Sequence, residues 1–579
     1  MSQKTGALES ISLAIVGSGG AGAITAGAII LEAAAKSGWY GIMTRSVGPQ
    51  IRGGEAAALV RLASRPVNCM SEHFDLLVAI DWNNAERFAA EMPLANHGVV
   101  FCDSAGGDIP DAIAHSGVSV SKVAMKDLAT EITGGRENMI AVGIVAGIIG
   151  LSIDEIMDIV ATKLSEKGSE AIEAGRQCIQ AGIAQLEQYT DILKLKPSKQ
   201  KDSERWLITG NEAVGFGAVR GGVRFAAAYP ITPATEVLEW LASGLARVGG
   251  ALVQAEDELS SVNMAIGASY GGRASITATS GPGLSLMIEA LGLAASAEVP
   301  IVVVDVMRGG PSTGIPTKSE QSDLNIAVYG CHGDAPHLVI APLSVSDCLF
   351  SAQWAVYLAE AMQAPAIILS DQSLGQARVI IDQPADVTFL ARRKIYEGAD
   401  DEAYNRYALT ADGVSPMAIP GTPGGQYTAD GLTHSVRGTP SSKNSDHQDQ
   451  HDKRNNKIAN FDYGDHWADV EGEGEITILV WGSIAGPARE AIRTLAGEGI
   501  KVKLVAMRLI APFLKEKFLS ALNGSTRILI IEQTHSGQFH KYLRAQCDLP
   551  GNIRHFHRPG PHSIGPEEIC DQIRDWKKS

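Results

Sequence analysis

The chain reads as several α/β domains in succession. Three observations carry that reading: short apolar runs alternate with helix-length stretches, glycine is in surplus, and aromatic residues are scarce. Glycine supplies 62 of 579 residues, about 11% against a usual level of about 7%. It follows no fixed period, and aromatics are only 6%. That balance suits the many strand-to-helix turns of α/β architecture better than a sandwich or a collagen. A length of 579 residues allows three or four domains. With 45% hydrophobic and 20% charged residues, wholesale disorder is excluded.

Charge and cysteine usage narrow the partners. Forty-nine Lys plus Arg against 65 Asp plus Glu give a net charge of −16, which argues against a nucleic-acid or anionic-membrane footprint. The seven cysteines are scattered with no Cys-x-x-Cys. This chain therefore offers neither a ferredoxin-type cluster nor a zinc ribbon, and a reducing, cytoplasmic setting fits it.

The first domain is expected over residues 1–195. It opens with the apolar strand Ser12-Leu-Ala-Ile-Val16, the turn Gly17-Ser-Gly-Gly-Ala-Gly22 and an Ala-rich helix to about Lys36. Residues 11–31 carry no charge and nominally match a bilayer of about 30 Å, but Gly17, Gly19, Gly20 and Gly22 break them, and Lys4 and Glu9 make a poor signal-peptide start. Residues 138–153 are also uncharged and too short for a span, so they are read as a core helix. Runs at 75–80 and 98–102 read as further parallel strands, and 152–195 as helices with charged faces. The turn Gly17-x-Gly19-x-x-Gly22 matches a dinucleotide fingerprint, yet Arg45 stands where the ribose-binding acid is expected. Close helix–strand packing is the simpler reading, with NAD(P) binding as the alternative. The following block, Ser46-Val-Gly-Pro-Gln-Ile-Arg-Gly-Gly-Glu55, is read as a loop in which Arg52 makes a subunit or anion contact, or as a plain surface loop.

Residues 194–205 are polar with one proline and form the linker. The second domain, 206–395, alternates strand and helix again, with strands at 251–255, 274–278, 301–306, 338–340 and 366–369, so a mostly parallel sheet covered on both faces is predicted. From 396 to 470 the composition turns to Gly, Pro, Asp, Asn, Ser and His, and an irregular insert is expected. Its run Asp446-His-Gln-Asp-Gln-His-Asp452 is read as a solvated loop, not a metal site. A last small α/β domain occupies 471–579, with strands at 476–480, 501–505 and 527–531.

The middle domain carries the chemistry. Glu256-Asp-Glu258 ends a strand and precedes a helix, and three adjacent acids make a candidate acid/base site or, failing that, an exposed acidic turn. Tyr229-Pro-Ile-Thr-Pro233 is an extended loop shaped by two prolines, and Thr279-Ser-Gly-Pro-Gly283 follows a strand. Arg308 begins the loop Arg308-Gly-Gly-Pro-Ser-Thr-Gly-Ile-Pro-Thr317 after a strongly apolar strand, at the sheet edge where open α/β sheets place ligands. A guanidinium there suits a substrate carboxylate, or a structural ion pair.

Taken together and in order, these blocks resemble the 2-oxoacid:ferredoxin oxidoreductases. Tyr229–Pro233, the nine-residue spacing from Glu258 to Gly267, Thr279–Gly283 and the Arg308–Thr317 loop look like the family's α chain. Gly17–Gly22 and Gly48-Pro-Gln-Ile-Arg-Gly-Gly54 look like a γ domain fused ahead of it, and Glu532-Gln-Thr-His-Ser-Gly-Gln538 like a transketolase C-terminal domain. The resemblance implies thiamine diphosphate, with Glu258 on the aminopyrimidine, Tyr229, Pro230, Ile231 and Thr232 contacting the cofactor, and Thr232, Arg308 and Thr317 binding the 2-oxoacid. It implies coenzyme A as co-substrate and ferredoxin as electron acceptor, with succinyl-CoA formed from 2-oxoglutarate, or pyruvate or a broad 2-oxoacid range as alternatives. The Gly-Asp-Gly magnesium motif is missing: Asp334 and Asp412 lie in other contexts. The resemblance then implies that a β subunit supplies Mg²⁺, the diphosphate site and a [4Fe-4S] cluster in an (αβ)₂ assembly. Two other classes stay open at this point, an NAD(P)-binding dehydrogenase and a non-catalytic scaffold.

Overall fold

The computed structural model describes residues 7–47, 55–83, 85–87, 89–186, 193–198, 204–315, 318–398 and 403–578. Among them three α/β sheets are present, which agrees with a multidomain α/β chain. They fall into two compact units, one formed by residues up to 208 with 377–385 and 565–567, the other by 209–376, 386–564 and the C-terminal helix.

The first unit holds an eight-stranded sheet in the order Ser119–Val123, Leu94–Asp103, Phe74–Ala79, Ser10–Ser18, Glu55–Ala63, Tyr40–Val47, Arg378–Asp382, Arg205–Thr209. Successive side chains leave a strand on opposite faces, and Ser10–Ser18 feeds both. Ile11, Leu13 and Ile15 enter one apolar cluster, while Ala14 and Val16 enter another. That is why the strand carries the continuous apolar run Leu13-Ala-Ile-Val16. The strand pairs parallel with Phe74–Ala79 but antiparallel with Glu55–Ala63. The sheet is therefore mixed, and the hairpin of Tyr40–Val47 with Glu55–Ala63 was not visible as a pattern. The helix Glu137–Ile149 is almost wholly buried. It crosses Ser169–Ala184 so closely that Gly143 and Gly182 each face the other helix's backbone with no room for a Cβ.

In the second unit a seven-stranded sheet runs Leu509–Ala511, Leu338–Ile340, Pro365–Asp371, Ile301–Met307, Ser275–Thr279, Phe225–Ala228, Ala251–Gln254. All pairs are parallel except the edge pair with Leu509–Ala511. Ile301–Met307 and Pro365–Asp371 are buried along their whole length, as central strands covered on both faces must be. A five-stranded sheet, Ala468–Glu471, Val502–Met507, Ile476–Trp481, Arg527–Glu532, Asn552–His557, builds the C-terminal α/β layer around its own apolar cluster.

The segment 396–470 contains a regular helix, Asn444–Ala459, which includes the His-containing run. This corrects the expectation of a solvated loop there. The helix is held by charge: Lys453 and Lys457, both buried, bond the two oxygens of the buried Glu298 at 2.7 Å each. Among the described residues no group of three or more His, Cys, Asp or Glu side chains is placed to hold a metal. No helix there is long and apolar enough to cross a membrane, and all seven cysteines are free thiols.

Candidate active site at the carboxyl edge of the seven-stranded sheet

The loops that follow the parallel strands gather at one edge, the place where doubly wound sheets bind ligands. Strand Ala251–Gln254 ends in Ala255-Glu-Asp-Glu258, and the three acids divide the work. Asp257 caps the helix Glu258–Tyr270, accepting the Ser260 amide at 2.7 Å. Glu256 accepts the Ser260 hydroxyl at 3.0 Å. Glu258 is 7% exposed, and among the described residues its carboxylate has no hydrogen-bond partner. It lies against Gly283 at the start of the helix Gly281–Ser296, where an added Cβ would come within 2.7 Å of its Cγ and 2.8 Å of Oε1. Glycine is what lets the carboxylate reach that helix end. The Gly267 used in the spacing argument is exposed, and beyond its own turn of helix no described residue comes within 4 Å of a Cβ there.

The loop Tyr229-Pro-Ile-Thr-Pro233 follows the neighbouring strand Phe225–Ala228. Its turn closes through the Ile231 carbonyl, which accepts the Ala234 and Thr235 amides. Buried Asn211 holds the loop from beneath, donating to the Pro233 carbonyl and to Glu236, both at 2.8 Å. Tyr229 and Thr232 are exposed, and Pro230 and Ile231 are half-buried. Arg308 stands at the end of Ile301–Met307 and donates from Nη1 to the Thr232 carbonyl at 2.8 Å. Arg308 and Thr232 are thus adjacent. Thr317 lies outside the described residues, as do Arg52 and the Gly48–Gly54 block.

Sequence reasoning missed two further carboxyls at this edge. Asp305, on the same strand as Arg308, is fully buried, and both its oxygens lack a donor. Asp323 faces it, and its oxygens press on Gly281, 2.5 Å and 2.8 Å from where a Cβ would sit. Burial first, then the charge of the neighbouring Asp323 and a hydrogen bond with it, push the Asp305 carboxyl well up. Asp323 is itself raised to about 6, by burial first and by the Glu320 charge, with the Asp305 hydrogen bond and Arg308 opposing. A single buried Asp in an otherwise apolar strand, Ile-Val-Val-Val-Asp305-Val-Met, was the available signal.

The N-terminal glycine turn has a different character. Gly22 has φ +87° and abuts the Asn138 side chain with no room for a Cβ. Asp81 accepts both the amide and the hydroxyl of Ser18 at 2.9 Å. Nearby Glu137 is raised by burial and by the Asp103 and Asp81 charges. Arg45 lies on the antiparallel hairpin, not at the end of a parallel crossover strand. An acidic rim and a blocked helix end offer a poor seat to a pyrophosphate, so the turn serves close packing.

Known proteins resemble this chain along nearly its whole length. Residues 216–453 match the family model of the thiamine-diphosphate-binding domain of pyruvate flavodoxin/ferredoxin oxidoreductases, 12–185 match the pyruvate ferredoxin/flavodoxin oxidoreductase model, and 466–545 match the transketolase C-terminal domain. A solved 2-oxoglutarate:ferredoxin oxidoreductase from Magnetococcus marinus, with 2-oxoglutarate, coenzyme A and succinyl-CoA bound, is 35% identical, aligning 98% of this chain with 99% of that one at a TM-score of 0.91. The 2-oxoglutarate synthase subunit KorA of Methanothermobacter marburgensis is 34% identical over 65% of this chain and 100% of its own. A 2-oxoacid:ferredoxin oxidoreductase α subunit of Saccharolobus solfataricus is 28% identical over 93% of both chains. The chain belongs to the 2-oxoacid:ferredoxin oxidoreductases, enzymes that act on an oxo group with ferredoxin as acceptor.

Proposed function

We propose that this chain is the α-type subunit of a thiamine-diphosphate-dependent enzyme that converts 2-oxoglutarate, coenzyme A and oxidised ferredoxin to succinyl-CoA, CO₂ and reduced ferredoxin, or runs the reverse. The observation that carries the proposal is the unpartnered, nearly buried Glu258 carboxylate beside Gly283, on the same sheet edge as the joined Thr232 and Arg308. The near full-length likeness to the 2-oxoglutarate enzyme of Magnetococcus marinus supports the substrate.

These residues fit thiamine diphosphate. A carboxylate with no partner of its own, let in by a glycine, is free to bond a ring nitrogen of the aminopyrimidine, and Tyr229, Pro230, Ile231 and Thr232 form a pre-shaped wall. When bound, the cofactor supplies the nucleophilic carbon and the electron sink that decarboxylation of a 2-oxoacid requires. The chain's own contribution is proton control and orientation. Glu258 holds the proton at the ring nitrogen. Arg308, anchored on the Thr232 carbonyl by Nη1, grips the substrate C1 carboxylate with its remaining N–H groups, and Thr232 fixes the carbonyl beside it. Thr317 is assigned to the same substrate by the family resemblance.

The diphosphate, Mg²⁺ and a [4Fe-4S] cluster are assigned to a β-type partner, with an (αβ)₂ complex and a cytoplasmic location. The test is Glu258→Gln in the purified complex. Oxidative decarboxylation should fall about a hundredfold or more, with the unfolding transition unchanged. Normal turnover would overturn the assignment. The family models carry the name of pyruvate, so kcat/KM for 2-oxoglutarate against pyruvate decides the substrate.

A further inference from the structure

The block Glu532-Gln-Thr-His-Ser-Gly-Gln538 sits in the C-terminal layer and takes no part in the chemistry above, yet its side chains reach the substrate-binding edge. Glu532 is fully buried at the end of Arg527–Glu532 and accepts the amides of Phe539 and His540 at 2.8 and 2.9 Å, fixing the start of the helix Gln538–Gln546. From that fixed end two glutamines grip the chain just after the Arg308 loop. Gln533 exchanges bonds with Gln321: its amide donates to Gln321 Oε1 at 3.0 Å, and its carbonyl accepts the Gln321 amide at 2.9 Å. Its Nε2 donates to the Ser319 carbonyl at 3.2 Å. Gln538 donates from Nε2 to the Ser322 carbonyl at 2.7 Å and accepts the Asn325 amide at 2.9 Å. Gln321 completes the clamp by donating to the Trp481 carbonyl at 2.9 Å.

The clamped stretch governs Arg308 because the loop closes on itself at its root. The Gly309 amide, next to Arg308, donates to the Lys318 carbonyl at 2.9 Å, one residue before the clamp begins. Gln321 and Gln533 are each only 1% exposed. Amide side chains buried this deeply are costly unless every bond is made, so this network tolerates one loop geometry. We propose that Gln533 and Gln538, through Gln321 and the loop root, are positioning residues that hold Arg308 beside Thr232 for the substrate carboxylate.

The inference rests on the reading that Arg308 binds the 2-oxoacid. Its test uses the whole complex with Gln538→Glu and Gln533→Glu, near-isosteric changes that keep an acceptor and remove the Nε2 donor. Arg308→Ala and the double variant Arg308→Ala/Gln538→Glu run beside them. Gln538→Glu is expected to raise the KM for 2-oxoglutarate about tenfold, to change the KM for coenzyme A by less than about twofold, and to speed amide exchange across residues 309–323. The double variant should cost no more than Arg308→Ala alone, since both changes act on one contact. If Arg308→Ala raises the 2-oxoglutarate KM but neither glutamine variant moves that KM or the exchange, the clamp is overturned and the reading of Arg308 stands. If Arg308→Ala leaves the KM unchanged, that reading fails and the clamp's role fails with it. Gln538 is half-buried at the edge, so its variant decides the matter should Gln533→Glu fail to fold.

Discussion

Gly283 leaves room for two neighbours at once, Thr279 and Glu258. Alanine at Gly283 would place a Cβ 2.7 Å from the Glu258 Cγ, and the carboxylate would have to move by about an ångström. Misplacement on that scale can cost about a hundredfold in rate. The same Cβ would overlap the buried Thr279 Oγ1, so both side chains must give way; Gly283→Ala is expected to lower kcat and weaken thiamine diphosphate binding, which turnover and cofactor titration check, and wild-type values would remove Gly283 from the site. Asp323 offers a test in pH. Its pKa of about 6 exceeds the ordinary aspartate value of about 3.9. The folded state therefore holds this proton more tightly than the unfolded state. The stabilisation that this proton supplies is complete below about pH 4 and is lost as pH rises through 6. Asp323→Asn, which keeps the shape and removes the charge, should therefore be more stable than wild type at pH 8, by about 2 kcal/mol. The advantage should shrink below pH 6. Chemical unfolding at both pH values measures it, and an advantage that did not change with pH would exclude a raised Asp323. Glu258, Thr232 and Arg308 were legible because strand-terminal acids, proline-shaped loops and an arginine after an apolar strand have local signatures. Asp323 was not, since its burial and its partner depend on a strand 18 positions earlier.

At the scale of elements, legibility followed apolar pattern. Ile301–Met307 and Pro365–Asp371 were visible as apolar runs because both faces are buried. The helix Asn444–Ala459 was invisible. Its Asn-Ser-Asp-His-Gln-Asp-Gln-His sequence has no apolar stripe, and it is held by Lys453 and Lys457 on Glu298. Burial alone would raise the Glu298 carboxyl, but the Lys457, Lys453 and Arg406 charges outweigh it and hold it below the ordinary range. Removing that one charge strands several buried cations. Glu298→Gln is expected to cost about 3–5 kcal/mol at pH 7 and to expose 444–459 to proteolysis. Burial and the neighbouring Lys457 push Lys453 down to about 8 against the pull of Glu298. At pH 9 more of this lysine is neutral, and the cost should be smaller. An equal cost at pH 7 and pH 9 would mean that charge is not what holds the helix. The hairpin of Tyr40–Val47 with Glu55–Ala63 escaped for another reason: antiparallel return beside a parallel strand is set by tertiary pairing, not by the run of residues.

For the whole molecule, one sheet edge gathers a carboxylate with no hydrogen-bond partner among the described residues, a guanidinium and a shaped loop, while no group of three or more His, Cys, Asp or Glu among those residues is placed to hold a metal. A diphosphate brings about two to three negative charges that must be neutralised on binding, which Mg²⁺ and its ligands do in sites of this kind. Around Glu258 the chain offers further acidic side chains, Glu256, Asp257 and Asp323, which repel a diphosphate. The pyrimidine end of the cofactor thus fits this chain, and the diphosphate end does not. Under the proposed function, the chain alone is expected to bind the cofactor weakly, and a partner bearing magnesium ligands is proposed to complete the site. Titration of thiamine diphosphate with Mg²⁺ into the isolated chain is expected to give affinity at least about a hundredfold below that of the complex, the share of binding carried by the metal–diphosphate contacts. The isolated chain should give no 2-oxoacid decarboxylation, and adding the β-type partner should restore both. Tight cofactor binding and turnover by the chain alone would place a complete site within it and overturn the division of labour. Native mass spectrometry of the same sample reads the assembly directly: a second, smaller chain carrying iron and sulfide at equal stoichiometry is the expected result, and a lone chain with thiamine diphosphate bound would contradict it.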